Sequence, residues 1–349
     1  MKRLRRIAAL VAVAVAMVAG SRGALAQAQG GRQFAPGVLK TIAPSPEAQE
    51  MFTGPVALSE LPIAIEGLEY DPKLASKSST VFERSKTVTM RRTVWNLEFS
   101  FKPLRMMYVD VPQGTGRMER KLVYYLVYRV RNLGNHLQPQ ATSADVAKLL
   151  ESSVPQPAEL YEKYKTQTNE VELFGHKTTE LRFFPHFVLA SIEYDKEYLD
   201  HVIPSALEPI KAREFPGRRD VKLYNSLTIS EVPLPVSDDQ NDHSVWGLAT
   251  WINVDPRIDY FVVYVQGLTN AYKFEDPQGA FKKGDQPGTG RKLLKKTLQL
   301  NFWRPGDTVD PNEEEIRYGA RLDPNPAEQQ EILKKYGIEK PIDYTWVYR

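Results

Sequence analysis

The sequence contains no cysteine. That excludes disulfides, thiolate nucleophiles, Cys-ligated metal sites and a cysteine-linked lipid anchor. Histidine is scarce as well, with five in 349 residues. His136, His176 and His186 have no partner at HExxH-type spacing, and His243 lies forty-two positions from His201. The serines lack the G-x-S-x-G elbow of a strand-to-helix nucleophile. Charge of one sign is missing too, since 46 Lys+Arg face 43 Asp+Glu for a net +3. A body so close to neutral has no electrostatic reason to hold nucleic acid. No cofactor motif and no catalytic constellation emerges, so catalytic, cofactor-binding and metal-site residues are all expected to be none.

What is present begins at the N-terminus. Lys2, Arg3, Arg5 and Arg6 precede an apolar run from Ile7 to Gly20, and Ala24-Leu25-Ala26 follows. Basic, apolar and small-residue regions in that order match a secretory signal peptide, residues 1–26. Fourteen apolar residues are short for a membrane span, which needs about 20. An uncleaved anchor helix is the alternative. Cleavage after Ala26 removes five basic residues and no acidic one, taking the charge from +3 to −2 over 323 remaining residues. No second long apolar run follows, so no transmembrane segment is expected in the mature chain. The expected location is the periplasm, cell envelope or exterior.

Residues 27–55, rich in Gly, Ala, Pro and Gln, read as a flexible leader with one short helix around Pro46–Phe52. LPIAIEGLEYDPK offers a short edge strand and an Asp-Pro turn. Firm strand periodicity starts at TVWNLEFSF, where Trp95, Leu97, Phe99 and Phe101 share one face. LRMMYVDV follows. KLVYYLVYRVR is the most strand-like run, with Leu122, Tyr124, Leu126, Tyr128 and Val130 inward, Arg129 and Arg131 outward, and Tyr125 covering a second layer. Ser143–Glu151 and Ala158–Lys165 allow short helices, an insertion near 140–165. VELFG and LRFFPHFVLASIEY resume strand character around a break at Pro185. Asp200–Arg213 allows a turn or two of helix interrupted by Pro204 and Pro209. KLYNSLTISEV alternates again, with Leu223, Leu227 and Ile229 on one face.

The polar stretch Ser237–Ser244 is the expected boundary between a β-rich domain over 56–240 and a second over 241–349. VWGLATWI, YFVVYVQGL and KLLKKTLQLNFW supply the later strands. In the last, Leu294, Leu298, Leu300 and Phe302 face inward and Lys295, Thr297, Gln299 and Asn301 outward. Lys296 falls on the inward register, with its ammonium expected to reach water at an edge. Pro326–Tyr336 reads as an amphipathic helix stopped by Gly337, and YTWVYR as a final strand. Many strands and few helices predict a mainly β fold, with two neighbouring Ig-like β-sandwich modules and short helical insertions. The halves share one echo: PQGTGR before one long strand and QPGTGR before the other, offset by 174 residues. Common turn chemistry accounts for it; two related modules are the alternative.

Three further clusters have both chemical and plain readings. The GTGR turns could present backbone N–H groups to an anion, but neither has the Lys-Ser/Thr ending of a phosphate loop. GAFKKG at Gly279–Gly284 likewise lacks nucleotide-loop spacing. Asp238, Asp239, Asn241 and Asp242 carry oxygens suited to calcium, yet the central Gly is absent and Ala249 stands at the twelfth position. Asp195 with Glu197, and Glu313–Glu315, could enter a hydrolase cleft, though a charged surface is the simpler reading. Aromatics concentrate at the strands: Tyr124, Tyr125, Tyr128, Trp246, Trp251, Tyr260 and Tyr264 are core packing by default and a sugar or protein contact if exposed.

The segments YYLVYRVRN (Tyr124–Asn132), RFFPHFVLAS and DPRIDYFVVYVQGLTNAY (Asp255–Tyr272) resemble an uncharacterised family of exported, β-rich proteins from planctomycete-type bacteria. The resemblance implies an exported envelope protein and transfers no activity or functional residue. Together these readings favour a non-catalytic binding or structural protein of the bacterial envelope, with an envelope protein or carbohydrate as partner. A secreted hydrolase acting on an envelope or extracellular polymer such as a polysaccharide is the alternative.

Overall fold

A computed structural model describes residues 37–53, 90–140, 158–173, 175–282, 285–286, 288–305 and 316–349. Residues 1–26, read as a signal peptide, the LPIAIEGLEYDPK segment, the helix expected at Ser143–Glu151 and Glu313–Glu315 lie outside these residues. The protein is mainly β. Its main strands, in chain order, are β1 (Lys40–Ile42), β2 (Glu98–Phe101), β3 (Arg105–Pro112), β4 (Met118–Arg131), β5 (His186–Ser191), β6 (Lys196–Leu199) and β7 (Leu223–Asn225). They continue as β8 (Val245–Ile252), β9 (Tyr260–Gln266), β10 (Tyr272–Glu275), β11 (Lys292–Trp303), β12 (Arg317–Tyr318) and β13 (Tyr344–Tyr348). Three α-helices accompany them among the described residues: α1 (Ala158–Lys163), α2 (Pro204–Glu214) and α3 (Pro326–Tyr336). No helix among those residues is long and apolar enough to cross a membrane.

The first large sheet runs β1-β2-β4-β8-β7, with β3 also on β4; the second runs β6-β5-β9-β11-β10, with β12 and β13 also on β11. All pairs are antiparallel except β7 with β8. The sheets meet face to face over one core. Phe99, Phe101, Tyr124, Leu126, Tyr128, Ala249 and Trp251 come from the first, and Phe187, Leu189, Phe261, Val263, Leu298, Leu300 and Phe302 from the second. Rings dominate its centre: Tyr128 lies 4.8 Å from Phe187 and 5.6 Å from Phe99, and Phe187 meets Trp251 edge-on at 6.5 Å. Each such pair adds about 0.5–1.5 kcal/mol beyond area burial.

Each outer face carries a helix. Ala206 and Ile210 of α2 pack with Val123, Tyr125 and Val127, so Tyr125 does cover a second layer. That is why KLVYYLVYRVR carries apolar residues on both faces. Ile332, Leu333 and Tyr336 of α3 pack with Tyr260, Val262 and Trp303 of the second sheet. Asn325 caps α3 by accepting from the Ala327 N–H, and Gly337 ends it at φ 66°.

The structure revises several expectations. The segment after Ser237–Ser244 does not begin a separate sheet. β8 pairs with β4 along Val123–Val130, and Ser237 N–H donates to the Asn132 carbonyl at 2.7 Å. Both sheets therefore draw strands from either side of that stretch. Over its described part, 37–53, the leader is built into the fold: β1 pairs with β2, a short 3-10 helix spans Ala48–Met51, and Ile42, Ala48 and Met51 are buried. α2 is continuous through Pro209. Pro204 sits at its start, where a missing N–H costs nothing, and burial of Ala206 and Ile210 offsets the interior proline. Leu227 is exposed, because the chain leaves the sheet after Asn225 and turns through Thr228–Glu231. Lys296 does not reach water. It is 2% exposed and meets Glu50 Oε1 at 2.5 Å and the Ser45 carbonyl at 2.9 Å, because residues 45–51 cover its end of β11. Thr297, Gln299 and Asn301, expected outward, are also buried; Gln299 donates to the Tyr336 carbonyl at the end of α3 and Asn301 to the Ile342 carbonyl after it.

Candidate functional site

The residues that combine chemistry with access lie at a seam where the two sheets meet. β6 of the second sheet ends at Leu199, and the next two residues bond across to other strands. Asp200 N–H donates to the Phe187 carbonyl at 3.0 Å, and His201 N–H donates to the Thr250 carbonyl on β8 at 2.8 Å. Thr250 Oγ1 returns a bond to the His201 carbonyl. Asp200 is thereby fixed against the first sheet with its carboxylate half-buried.

Ser226 arrives from the other side. The Asn225 side chain accepts from the Leu227 and Thr228 N–H groups at 3.0 and 2.9 Å, a local turn that sets the chain direction just past β7. Ser226 Oγ donates to Asp200 Oδ2, and the Thr250 N–H donates to Asp200 Oδ1 at 2.7 Å. Beside them the Tyr128 hydroxyl is buried, facing Ser226 and Asp200. Gly247 makes room for it: a Cβ there would lie 2.2 Å from Tyr128 Cζ. Burial raises the Asp200 carboxyl above its ordinary value, and the bonds from Ser226 and Thr250 pull it partly back. Burial, reinforced by the Asp200 charge, lifts the Tyr128 phenol well above 10. Of the residues adjacent in sequence, Leu199 is 63%, Val202 39% and Leu227 68% exposed.

Other buried polar clusters are internally paired. Glu214, at the end of α2, meets Arg105 Nη1 at 2.6 Å, the Tyr125 hydroxyl at 2.8 Å and Lys102 Nζ at 3.4 Å. Glu50 holds Lys296 and accepts from the Tyr348 hydroxyl at 2.6 Å, which with burial lifts that phenol. Arg304 bonds the Pro256 carbonyl and approaches Asp259 at 3.4 Å. These fasten helices and the N-terminal segment to the sheets.

The sequence-marked groups fall elsewhere. Asp238 Oδ1 accepts from the Gln240 and Asn241 N–H groups at 2.8 and 2.7 Å, which holds that carboxyl below its usual range. Asp242 accepts from Ser244 N–H. Among the described residues no group of three or more His, Asp or Glu is placed to hold a metal. Gly114–Arg117 is the β3–β4 hairpin turn, where Gly116 N–H donates to the Gln113 carbonyl at 2.9 Å. The second GTGR stands at the foot of β11, and its Arg291 clasps Asp276 with two bonds of 2.8 Å. In the GAFKKG segment Lys282 N–H donates to Asp285 at 2.8 Å. Asp195 occupies a turn at φ 48°, and Glu197 pairs with Arg349 at 2.7 Å. His186, expected partly buried, is exposed at the start of β5, whereas His136 is fully enclosed. Burial depresses the His136 imidazole to about 4.

Of the singled-out aromatics, Tyr124, Tyr125, Tyr128, Trp251 and Tyr260 are buried. Trp246 packs edge-on to Phe215 at 4.9 Å, and Arg349 covers Tyr264 at 4.0 Å. None of these seven offers an open stacking face. Sequence reading missed Asp200 and Ser226 because they stand 26 positions apart and only strand pairing joins them. The sole local signal was Asn225-Ser226 at a strand end. Among the described residues the fold is built on two large β-sheets, each with a helix on its outer face and a half-buried acidic group at the seam between them. No protein-family profile, curated protein or solved structure matches the chain.

Proposed function

We propose that this is an exported, non-catalytic binding protein of the bacterial envelope, and that the Asp200 seam is where its partner docks. The observation that carries the reading is the seam's construction. A half-buried carboxylate is fixed by a hydroxyl and a backbone N–H, and Leu199, Val202 and Leu227, close to it or to Ser226 in sequence, are exposed. Such a group keeps its geometry without a ligand and loses little freedom on binding. Export rests on the basic, apolar and small-residue order of residues 1–26. An envelope protein or carbohydrate is the partner class.

The hydrolase alternative draws on one observation, the bond from Ser226 to Asp200, which aligns a hydroxyl beside a carboxylate. One experiment separates the two. Purified wild-type protein and Asp200→Asn are incubated with envelope fractions, and both retention and products are measured. Stoichiometric retention by the wild type alone, without turnover, supports the binder. Product formation lost in the variant reverses the reading in favour of an enzyme. N-terminal analysis of exported protein should begin at Gln27; retention of Met1 and the apolar run would favour an anchor.

A further inference from the structure

β10 and the first four residues of β11 form a two-stranded ribbon that the sheets leave open. β9 and β13 pair with β11 only as far as Leu298 and Lys296. Beyond them β10 is its strand partner, in the register Tyr272–Lys295, Lys273–Leu294, Phe274–Leu293 and Glu275–Lys292. Six of those eight residues are exposed, and Tyr272 and Leu294 are half-buried. The body meets the ribbon at its foot, where Arg92 lies 3.6 Å over the Tyr272 ring and Lys273 Nζ lies 4.0 Å over that of Tyr348. The GTGR-linked hairpin of the first sheet is built otherwise: Val109 and Val111 of β3 are buried in the layer under α2.

Two properties of the open ribbon bear on what it meets. The first is an apolar pair. Phe274 and Leu293 stand directly opposite each other and so share one face, 39% and 50% exposed. Tyr272 lies edge-on to Phe274 at 5.3 Å, and Lys295, two residues along from Leu293, joins the same face. The second is charge. Residues 272–295 hold six basic and three acidic side chains, +3, whereas the remainder of residues 27–349 sums to −5. Arg291 is bound to Asp276, but Lys273, Lys282, Lys292 and Lys295 are exposed. Cations around exposed aromatic and aliphatic groups match the boundary of an anionic bilayer. There apolar side chains enter the acyl edge and ammonium groups meet lipid phosphate. A soluble polyanion would engage the lysines alone and leave Phe274 and Leu293 in water.

We propose that the β10–β11 ribbon is a membrane-contact element that seats on an anionic phospholipid surface. Phe274 and Leu293 enter the headgroup region, and the lysines lie among the phosphates. The acidic remainder of the chain sets the orientation, because the field that attracts the ribbon repels the body. This contact is independent of whatever the Asp200 seam holds.

The test sediments the purified protein with vesicles of phosphatidylcholine alone and of phosphatidylcholine mixed equally with phosphatidylglycerol. Binding should require the anionic lipid and weaken as salt is raised. Each lysine at such a surface is worth roughly fivefold in affinity, so Lys292→Gln with Lys295→Gln should lower binding at least about tenfold. Phe274→Ser with Leu293→Ser should lower it about tenfold through the lost apolar contact. All four residues are exposed, so folding is retained, which circular dichroism checks. The absence of cysteine allows one label to be placed at will. An environment-sensitive fluorophore on Gln278→Cys, in the loop after β10, should shift to the blue with anionic vesicles. The same label on Gln330→Cys, exposed on α3, should not. Equal binding to neutral vesicles, no sedimentation, unchanged binding in either substitution pair, or a blue shift at α3 in place of the ribbon overturns the proposal. Capture by soluble dextran sulfate without vesicle binding overturns it too, and assigns the lysines to an anionic polymer.

Discussion

β4 and β11 begin from the same GTGR letters and bury the same alternate positions, yet their outer faces are built from opposite chemistry. The offset of 174 that relates the turns carries Tyr124, Leu126 and Tyr128 onto Leu298, Leu300 and Phe302, all in the shared core. The surroundings run parallel. β2 and β3 pair with successive stretches of β4, as β9 and β10 do with β11. A helix then covers each outer face before the chain returns as β8 or β13. On the outer faces the likeness ends. Val123, Tyr125 and Val127 meet α2 as a largely apolar layer, whereas Thr297, Gln299 and Asn301 are buried polar groups. Gln299 and Asn301 donate to the Tyr336 and Ile342 carbonyls at 2.9 Å. At the end of the inward register as well, half-buried Leu122 corresponds to buried, ion-paired Lys296. A shared core face constrains phase; it leaves open how the second face is satisfied.

Transplanting one strand's solution into the other should have the largest effect. Lys296→Leu, which installs the residue of β4, strands the Glu50 carboxylate in the interior. It should cost about 3–5 kcal/mol by urea unfolding. Lys296→Leu with Glu50→Gln should recover part of that loss; no recovery would show that the ion pair is not the source.

Acid probes the first sheet's flank, where the His136–Pro139 strand pairs with Lys165–Thr168. Burial depresses the folded imidazole from 6.5 to about 4. The unfolded chain therefore takes up a proton first. This contribution to stability is complete above pH 6.5 and is lost as pH falls toward 4, by on the order of 2–3 kcal/mol. Denaturation midpoints across that range should slope downward for the wild type and flatten in His136→Leu.

A smaller effect distinguishes the outer faces. Gln299→Met leaves the Tyr336 carbonyl and Asn301 without their shared partner and should cost about 1–3 kcal/mol. Tyr125→Phe removes only one of the several donors to Glu214 and should cost about 1 kcal/mol. Equal losses would mean that the two layers are held in the same way.

Gly337→Ala should be smallest, about 1 kcal/mol. It forces a Cβ onto φ 66° and to 2.9 Å from Ile192 Cδ1, the end of a side chain able to move. Thermal unfolding should show the loss without a change in strand content.

The sequence by itself determined the β class, the phase of β2, β4 and β11 and both ends of α3. These depend on neighbours within a few residues: alternation in KLLKKTLQLNFW, an Asn cap, a terminal glycine. It did not determine which strand pairs with which, so the Ser237–Ser244 stretch read as a boundary although β8 returns to β4. Nor could it tell a polar outer face from a buried one, because Gln299 and Asn301 look solvated until the end of α3 and the chain after it bond them. The candidate site belongs to the tertiary structure altogether. Asp200, Ser226, Thr250 and Tyr128 come from separate strands and turns, and no short-range pattern joins them. Local propensity acts through adjacent backbone, whereas a carboxylate's partners are set by which strands the core brings together.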